Sequence, residues 1–378
     1  MQQIADRKRA ALMSESDVVD YLLERNLIDA AAIVDGDLRL IDASRRNTNF
    51  RVVRERASSY LLKQGAGRDP FVSTAREAFV YALLADAGGK AIARLLPRVY
   101  DFDADRELLI IELFEGADDL RAYHHRRGRF PTSVAAQLGK ALAQLHALPA
   151  RAGATMGGHA LDAPEPAGLF LHRPGLPVLH DLSGAGTDIV RLIQRSDGVF
   201  DVLESMRRQW RRDRFIHHDM RWDNVLVTRT ASGKPALKLI DWEAAGLGDP
   251  GLDLGGILGD YLACWITSIP LTGHDTPDRY LGLARYPLKA IQPALGALWN
   301  AYVAQAGLTA SECRELLIAT ARYTGLKLME MALEHVQHQP ECNMTAVTLV
   351  QVGVNIVTSP EHAARVLLSL AAPSEALQ

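Results

Sequence analysis

The chain has 378 residues, 48% of them hydrophobic, and a formal net charge of −3. That is enough apolar material for a sizeable core in one large domain or two smaller ones. The near-cancellation of charge argues for neither a nucleic-acid coat nor a disordered acidic tail. In chain order, Met1 to Val18 is charged and carries only a short Ala-Ala-Leu-Met patch, where a secretory signal needs roughly 7 to 15 apolar residues. From Leu38 to Gln64 three extended segments, Leu38–Asp42, Asn49–Arg54 and Tyr60–Gln64, predict an antiparallel meander. Thr74-Ala-Arg-Glu77 reads as a capping box opening a helix that carries Ala78, Tyr81 and Leu84 and stops at Gly88-Gly89. The chain extends again after Pro97, and the apolar run Leu108–Phe114 predicts a strand covered on both sides.

Beyond Gly116 the pattern turns helical. Val134, Leu138, Leu142 and Leu145 recur at helical spacing, and further helices are expected across 252–266, 295–306 and 312–336, with Thr309…Glu312 as a second capping box. The most apolar stretch, Leu252–Ile266, is interrupted by Asp260 and falls short of the roughly 20 residues of a membrane span, so it predicts a buried helix. The Pro- and Gly-rich stretch Ala150–Gly186 predicts an irregular insertion. Cys264, Cys313 and Cys342 lie far apart without metal-ligand spacing, so neither a disulfide framework nor a zinc site is expected. A cytoplasmic protein with neither nucleic acid nor membrane as partner fits these features.

The most informative segment is Phe215-Ile-His-His-Asp-Met-Arg-Trp-Asp-Asn-Val-Leu-Val227, followed by Ala236-Leu-Lys-Leu-Ile-Asp-Trp-Glu243. Val225–Val227 and Leu237–Ile240 are strand-like runs joined through Ser232-Gly-Lys-Pro235, a hairpin with its tip near Gly233. A hairpin brings the residue entering its first strand beside the one leaving its second, so Asn224 and Asp241 are expected at one end with Asp219 just upstream. Two carboxylates and a carboxamide make a hard oxygen site suited to magnesium shared with phosphate, and supply a base.

His217-x-Asp219 with Asn224 five residues on, Ile240-Asp241 after a short hairpin, and then Gly248-Asp249-Pro250-x-x-Asp253-Leu254 resembles the aminoglycoside phosphotransferase and choline kinase family, distant relatives of protein kinases. The resemblance covers about residues 30 to 270. It implies an α+β, two-lobed protein-kinase-like fold, with a small N-terminal antiparallel sheet lobe holding one main helix (1–115) and a larger, mainly helical C-terminal lobe (116–378). It implies ATP and Mg2+ as cofactors, Asp219 as the base acting on an acceptor hydroxyl, and Asn224 and Asp241 as magnesium ligands. His217 would brace the loop. Lys63 in the third strand would contact phosphate, with Glu77 as its ion-pair partner. Arg45-Arg-Asn-Thr-Asn-Phe50, with Asn47 and Asn49, stands where the phosphate-covering loop belongs and lacks the Gly-x-Gly-x-x-Gly of protein kinases. Glu112 to Phe114 would be the hinge that meets adenine, and Ile240 would also lie against the nucleotide.

Taken singly, several of these residues have plainer explanations. Asp219 alone is an ordinary turn residue, Glu77 has a capping job three residues after Thr74, and Asp249 before Pro250 is a natural N-cap, with Asp253 a brace. His146 reads as a packed histidine. The joint pattern of Lys63, Asp219, Asn224 and Asp241 is what a turn-only account leaves unexplained. Two basic clusters, His124–Arg129 and Arg207–Arg214, are solvated faces in the plain reading; in the functional one they favour a neutral or anionic acceptor. The expected acceptor is a hydroxyl-bearing small molecule or antibiotic, with Ser or Thr of a peptide precursor as the alternative and a nucleotide-binding scaffold without turnover as the rival class.

Overall fold

The computed structural model describes residues 13–44, 48–65, 73–148, 155–156, 159–270 and 277–371. Two units are formed: Met1–Asp118 with Met156–Gly158 and Leu226–Ala245, and Asp119–Thr155 with His159–Val225 and Gly246–Gln378. The first takes in the hairpin after the His217–Asn224 segment, which chain order alone assigns to the second portion.

In the first unit, helices α1 (Glu15–Glu24) and α2 (Ala30–Val34) precede strands β1 (Arg39–Asp42), β2 (Thr48–Val53) and β3 (Tyr60–Gln64). Helix α3 (Thr74–Ala87) and strands β4 (Val99–Asp103) and β5 (Leu108–Glu112) follow, and the sheet order is β1-β2-β3-β5-β4 with antiparallel neighbours. The meander and the strand, helix, strand order match expectation. Helices α1 and α2 do not figure in the sequence reading. Their signals are a Ser14…Asp17 capping box and an Asp29 N-cap.

Alternation along β3 sorts the sheet's two faces. Tyr60 and Leu62 join Phe50, Val52, Val18, Tyr21 and Leu22 in one core, while Lys63, next after Leu62 in the pleat, points to the other face and is paired across the ladder with Asn49. Strand β5 is buried from Leu108 to Ile111, as a strand covered on both sides should be, and it ends at Glu112.

The start of α3 corrects the sequence reading. The N-cap is Ser73, whose side chain accepts from the Arg76 amide, so Thr74 opens the helix and Glu77 is its fourth residue. Glu77 has no capping task. The hairpin strands are Val225–Arg229 and Pro235–Leu239, and Gly233 adopts φ +76° at the tip, a left-handed conformation suited to glycine. The Leu239 amide donates to the Leu95 carbonyl at 2.7 Å and Lys238 Nζ to the Leu96 carbonyl at 2.9 Å, tying the second strand to the segment before Pro97.

The second unit is built on helices Thr132–His146, Pro250–Thr267, Leu288–Ala306, Ala310–Val336 and Met344–Thr358. The Thr309…Glu312 capping box is present as read. Pro250–Thr267 is buried along nearly its whole length. Among the described residues no helix is long and apolar enough to cross a membrane. The insertion is less irregular than its composition predicts. It holds a 3-10 turn, Ala167–Phe170, and a short helix, Leu176–Asp181, and Ser183 caps a helix Gly184–Arg195 that begins on two glycines. The three cysteines are unpaired, and Cys264 and Cys313 are buried.

Candidate active site

In the first unit, Lys63 Nζ lies 2.9 and 3.0 Å from the two Glu77 carboxylate oxygens and 2.7 Å from Asp241 Oδ1. One ammonium joins residues 14 and 178 positions away. Tyr81, one helical turn after Glu77, donates its hydroxyl to Glu77 Oε1 at 3.1 Å. Burial disfavours the charge of Lys63, but the Glu77 and Asp241 carboxylates outweigh it and hold the lysine pKa above its ordinary value. Burial and the same glutamate push the Tyr81 phenol well up, so it stays a donor.

Two further features hold Asp241. It sits at φ +68°, a strained conformation for a residue with a side chain. Arg76, buried in α3, donates through Nε at 3.1 Å and Nη2 at 2.7 Å to the Ala245 carbonyl, so the turn after Asp241 is fastened to the helix that carries Glu77. In the sequence reading Arg76 is only part of the Thr74–Glu77 pattern and Tyr81 only a position of its helix, and neither is tied to the site. Their only signal is the position one residue before Glu77 and one turn after it.

Of the other residues tied to the nucleotide by resemblance, Asn47 lies outside the described residues. Asn49 faces the same side of the sheet as Lys63, and its buried Oδ1 accepts no hydrogen bond among the described residues. Glu112 closes β5 with its amide on the Arg98 carbonyl and its Oε2 on the Arg98 amide, and the Leu113 amide donates to the Ser59 carbonyl. The Phe114 ring lies 5.0 Å from Lys238 Nζ. Ile240, half-buried, immediately precedes Asp241.

In the second unit the His217–Asn224 loop is tightly restrained. The Asp253 carboxylate accepts from the His217 and His218 amides at 2.7 and 2.9 Å and meets His146 Nε2 at 3.1 Å, and His146 Nδ1 meets the Tyr302 hydroxyl at 3.0 Å. Burial opposes the Asp253 charge, yet these partners hold its pKa below the usual carboxylate value. Asp249 caps the following helix through the Gly251 amide at 2.8 Å. Asp253 thus braces the His217–His218 backbone and not only its own helix, His146 is packed in the interior as read from the sequence, and His217 is fully buried. His218 adopts φ +72° immediately before Asp219. Asn224 Nδ2 donates to the Asp219 carbonyl at 2.7 Å and to Asp219 Oδ2 at 3.1 Å, leaving its amide oxygen for another partner.

The basic clusters have structural partners. Arg207 meets Glu204 at 3.3 Å and Arg211 meets Asp249 at 3.6 Å. Of the first cluster, Arg126 and Arg127 end helix Leu120–Arg127, where their positive charge complements the helix dipole. His124 itself is buried beside Phe130, Trp222 and Tyr261. Its Nδ1 faces the Arg129 carbonyl at 3.3 Å, which can only accept, so Nδ1 holds the proton and Nε2 accepts from the Tyr261 hydroxyl at 3.1 Å.

Burial lowers the His124 pKa to about 4. The unfolded chain therefore takes up this proton first as pH falls below about 6.5. Stability should decline between pH 6.5 and 4 by about 3 kcal/mol from this residue and level off below. Urea unfolding at stepped pH checks it: His124→Asn should flatten that slope, and an unchanged slope counts against a neutral buried His124.

A family model for the phosphotransferase enzyme family matches residues 37–280. No curated protein matches the chain. Among solved structures the chain is similar to a glucosamine kinase in complex with glucosamine, ADP and inorganic phosphate, at 15% identity, 93% of this chain, 84% of that one and a TM-score of 0.53. It is similar to APH(2")-IIia in its GDP and kanamycin complex, at 12% identity, 91% and 98% coverage and a TM-score of 0.51. A choline kinase from Streptococcus pneumoniae has 14% identity, 90% and 99% coverage and a TM-score of 0.48. At such identities the first two likenesses show the fold, which is the α+β, two-lobed kinase-like architecture expected from the sequence. Since the family model spans more than half of its residues, the chain belongs to the phosphotransferase enzyme family.

Proposed function

We propose that the chain transfers the γ-phosphoryl group of ATP to a hydroxyl of a small molecule, in a magnesium-dependent reaction. The observation that carries this is the Lys63 bridge between Glu77 and Asp241. A lysine held by a buried glutamate is a fixed cation for nucleotide phosphates, and its contact with Asp241 sets that carboxylate beside it. Asn49, across the ladder from Lys63, Asn47, the Glu112–Phe114 segment and Ile240 are assigned to the rest of the nucleotide.

Asp219 orients the acceptor hydroxyl and accepts its proton as the oxygen bonds to phosphorus and ADP leaves. Asn224 and Asp241 are assigned to magnesium by their places in the family motif, and the Asn224 amide nitrogen, spent on Asp219, leaves its hard oxygen as the donor. Magnesium bound there would neutralise phosphate charge.

A small-molecule acceptor is supported by the neighbours of matching fold, whose complexes hold glucosamine with ADP and kanamycin with GDP. The pairing of Arg207 with Glu204 and of Arg211 with Asp249 weakens the case for an anionic acceptor or an acidic peptide. Incubating the protein with magnesium–ATP, and separately magnesium–GTP, against a panel of amino sugars, aminoglycosides and choline should give a phosphoryl mass gain on one acceptor class. Nucleotide that is bound but never consumed, with every acceptor unmodified, would leave a scaffold in place of an enzyme.

A further inference from the structure

The loop carrying Asp219 lies along the Pro250–Thr267 helix and is held by two of that helix's carboxylates. Asp253 takes the His217 and His218 amides, and two turns later Asp260 Oδ2 takes the Trp222 amide at 2.6 Å. Between them Gly256 permits close approach, since a Cβ there would stand 2.3 Å from the Met220 carbonyl oxygen. Residues 253, 256 and 260 share one helical face by their spacing.

Asp260 is harder to explain than Asp253. It is fully buried, and its Oδ1 accepts no hydrogen bond among the described residues. Burial pushes its pKa up, opposed by Lys327, the Trp222 amide, Arg121 and Arg221. A buried carboxylate with one idle oxygen costs stability that an apolar residue would not. What the remaining oxygen does is specific. The Trp222 amide opens the 3-10 turn Trp222–Asn224, where the first N–H groups lack partners, and Arg221 before it supplies no cap. Asn224 ends that turn, its amide donates to the Arg221 carbonyl at 3.0 Å, and its side chain holds Asp219.

We propose that Asp260 is a positioning residue for phosphoryl transfer: by capping the Trp222–Asn224 turn from the neighbouring helix it fixes Asn224 and, through the Asn224 amide, the Asp219 carboxylate. This rests on the roles given above to Asp219 and Asn224.

The probe is phosphate release from magnesium–ATP with water as acceptor, counted per folded molecule by near-ultraviolet circular dichroism. Asp260→Ala should lower kcat by about tenfold or more with KM for ATP within about threefold. Asp260→Asn, which keeps an acceptor for the Trp222 amide, should return kcat to within about threefold of wild type. An unchanged kcat in Asp260→Ala, or an Asn variant as slow as the Ala variant, overturns the proposal. Should Asp260→Ala not fold, hydrogen exchange of the wild-type Trp222 amide decides. Protection equal to that of the Pro250–Thr267 amides is expected, and exchange at the rate of an open loop overturns it. A wild-type protein that releases no phosphate would count against phosphoryl transfer itself, whereas the Trp222 amide tests the anchor without any turnover.

Discussion

Asp219→Ala is expected to lower phosphoryl transfer by about 10³-fold while leaving magnesium–ATP affinity within about threefold. The separation follows from what the side chain touches. Among the described residues Asp219 Oδ2 accepts one hydrogen bond, from Asn224 Nδ2 at 3.1 Å, and the same nitrogen donates to the Asp219 carbonyl at 2.7 Å. Truncation removes the first bond and keeps the second, so Asn224 remains oriented. The Asp253 contacts that shape the loop go to the amides of His217 and His218, which the substitution does not alter. What disappears is the group that aligns the acceptor hydroxyl and takes its proton. Asp219→Asn separates those two tasks, since it preserves shape and most hydrogen bonding but not basicity. It should be nearly as slow as the alanine variant if proton acceptance dominates. Calorimetric titration with magnesium–ATP alongside turnover reads both quantities, and an Asp219→Ala enzyme with near-normal turnover would remove Asp219 from the reaction.

Much of this was legible in the sequence because it depends on local signals. The hairpin tip at Gly233, the Thr309 capping box and the buried strand Leu108–Ile111 are set by residues within a few positions of one another. The expected pairing of Lys63 with Glu77 is met, although resemblance rather than spacing pointed to it. The start of α3 is one residue off in the sequence reading because Ser73 and Thr74 are both good caps, and the choice between them depends on where the Arg76 amide ends up. The insertion reads as irregular because Gly and Pro are helix breakers. Ser183 nevertheless starts a helix across Gly184 and Gly186 whose buried face is Ile189, Val190 and Ile193. Least legible were partners far apart in the chain: Arg76 on the Ala245 carbonyl, Asp260 on the Trp222 amide and His124 under Tyr261. Each satisfies a backbone or ring group whose need appears only once the chain has folded.

Lys63→Met should cost both turnover and stability, and the two losses should be separable. Glu77 is only 1% exposed and has Lys63 and the Tyr81 hydroxyl as partners. Without the ammonium, a buried carboxylate is left with a single neutral donor, which costs about 3–5 kcal/mol when one member of a buried pair is removed. Turnover should fall by about 10²-fold or more, because the fixed cation that meets phosphate charge is gone. Adding Glu77→Gln removes the stranded charge, since the amide can still accept from Tyr81. The double variant should therefore regain stability to within about 1 kcal/mol of wild type. It should regain no turnover, because nothing replaces the cation beside Asp241. Urea unfolding and phosphate release on wild type, Lys63→Met, Glu77→Gln and the double variant close the cycle. A double variant as unstable as Lys63→Met would mean that Glu77 is not stabilised by Lys63, and recovered turnover would mean that Lys63 is not the group meeting the phosphates.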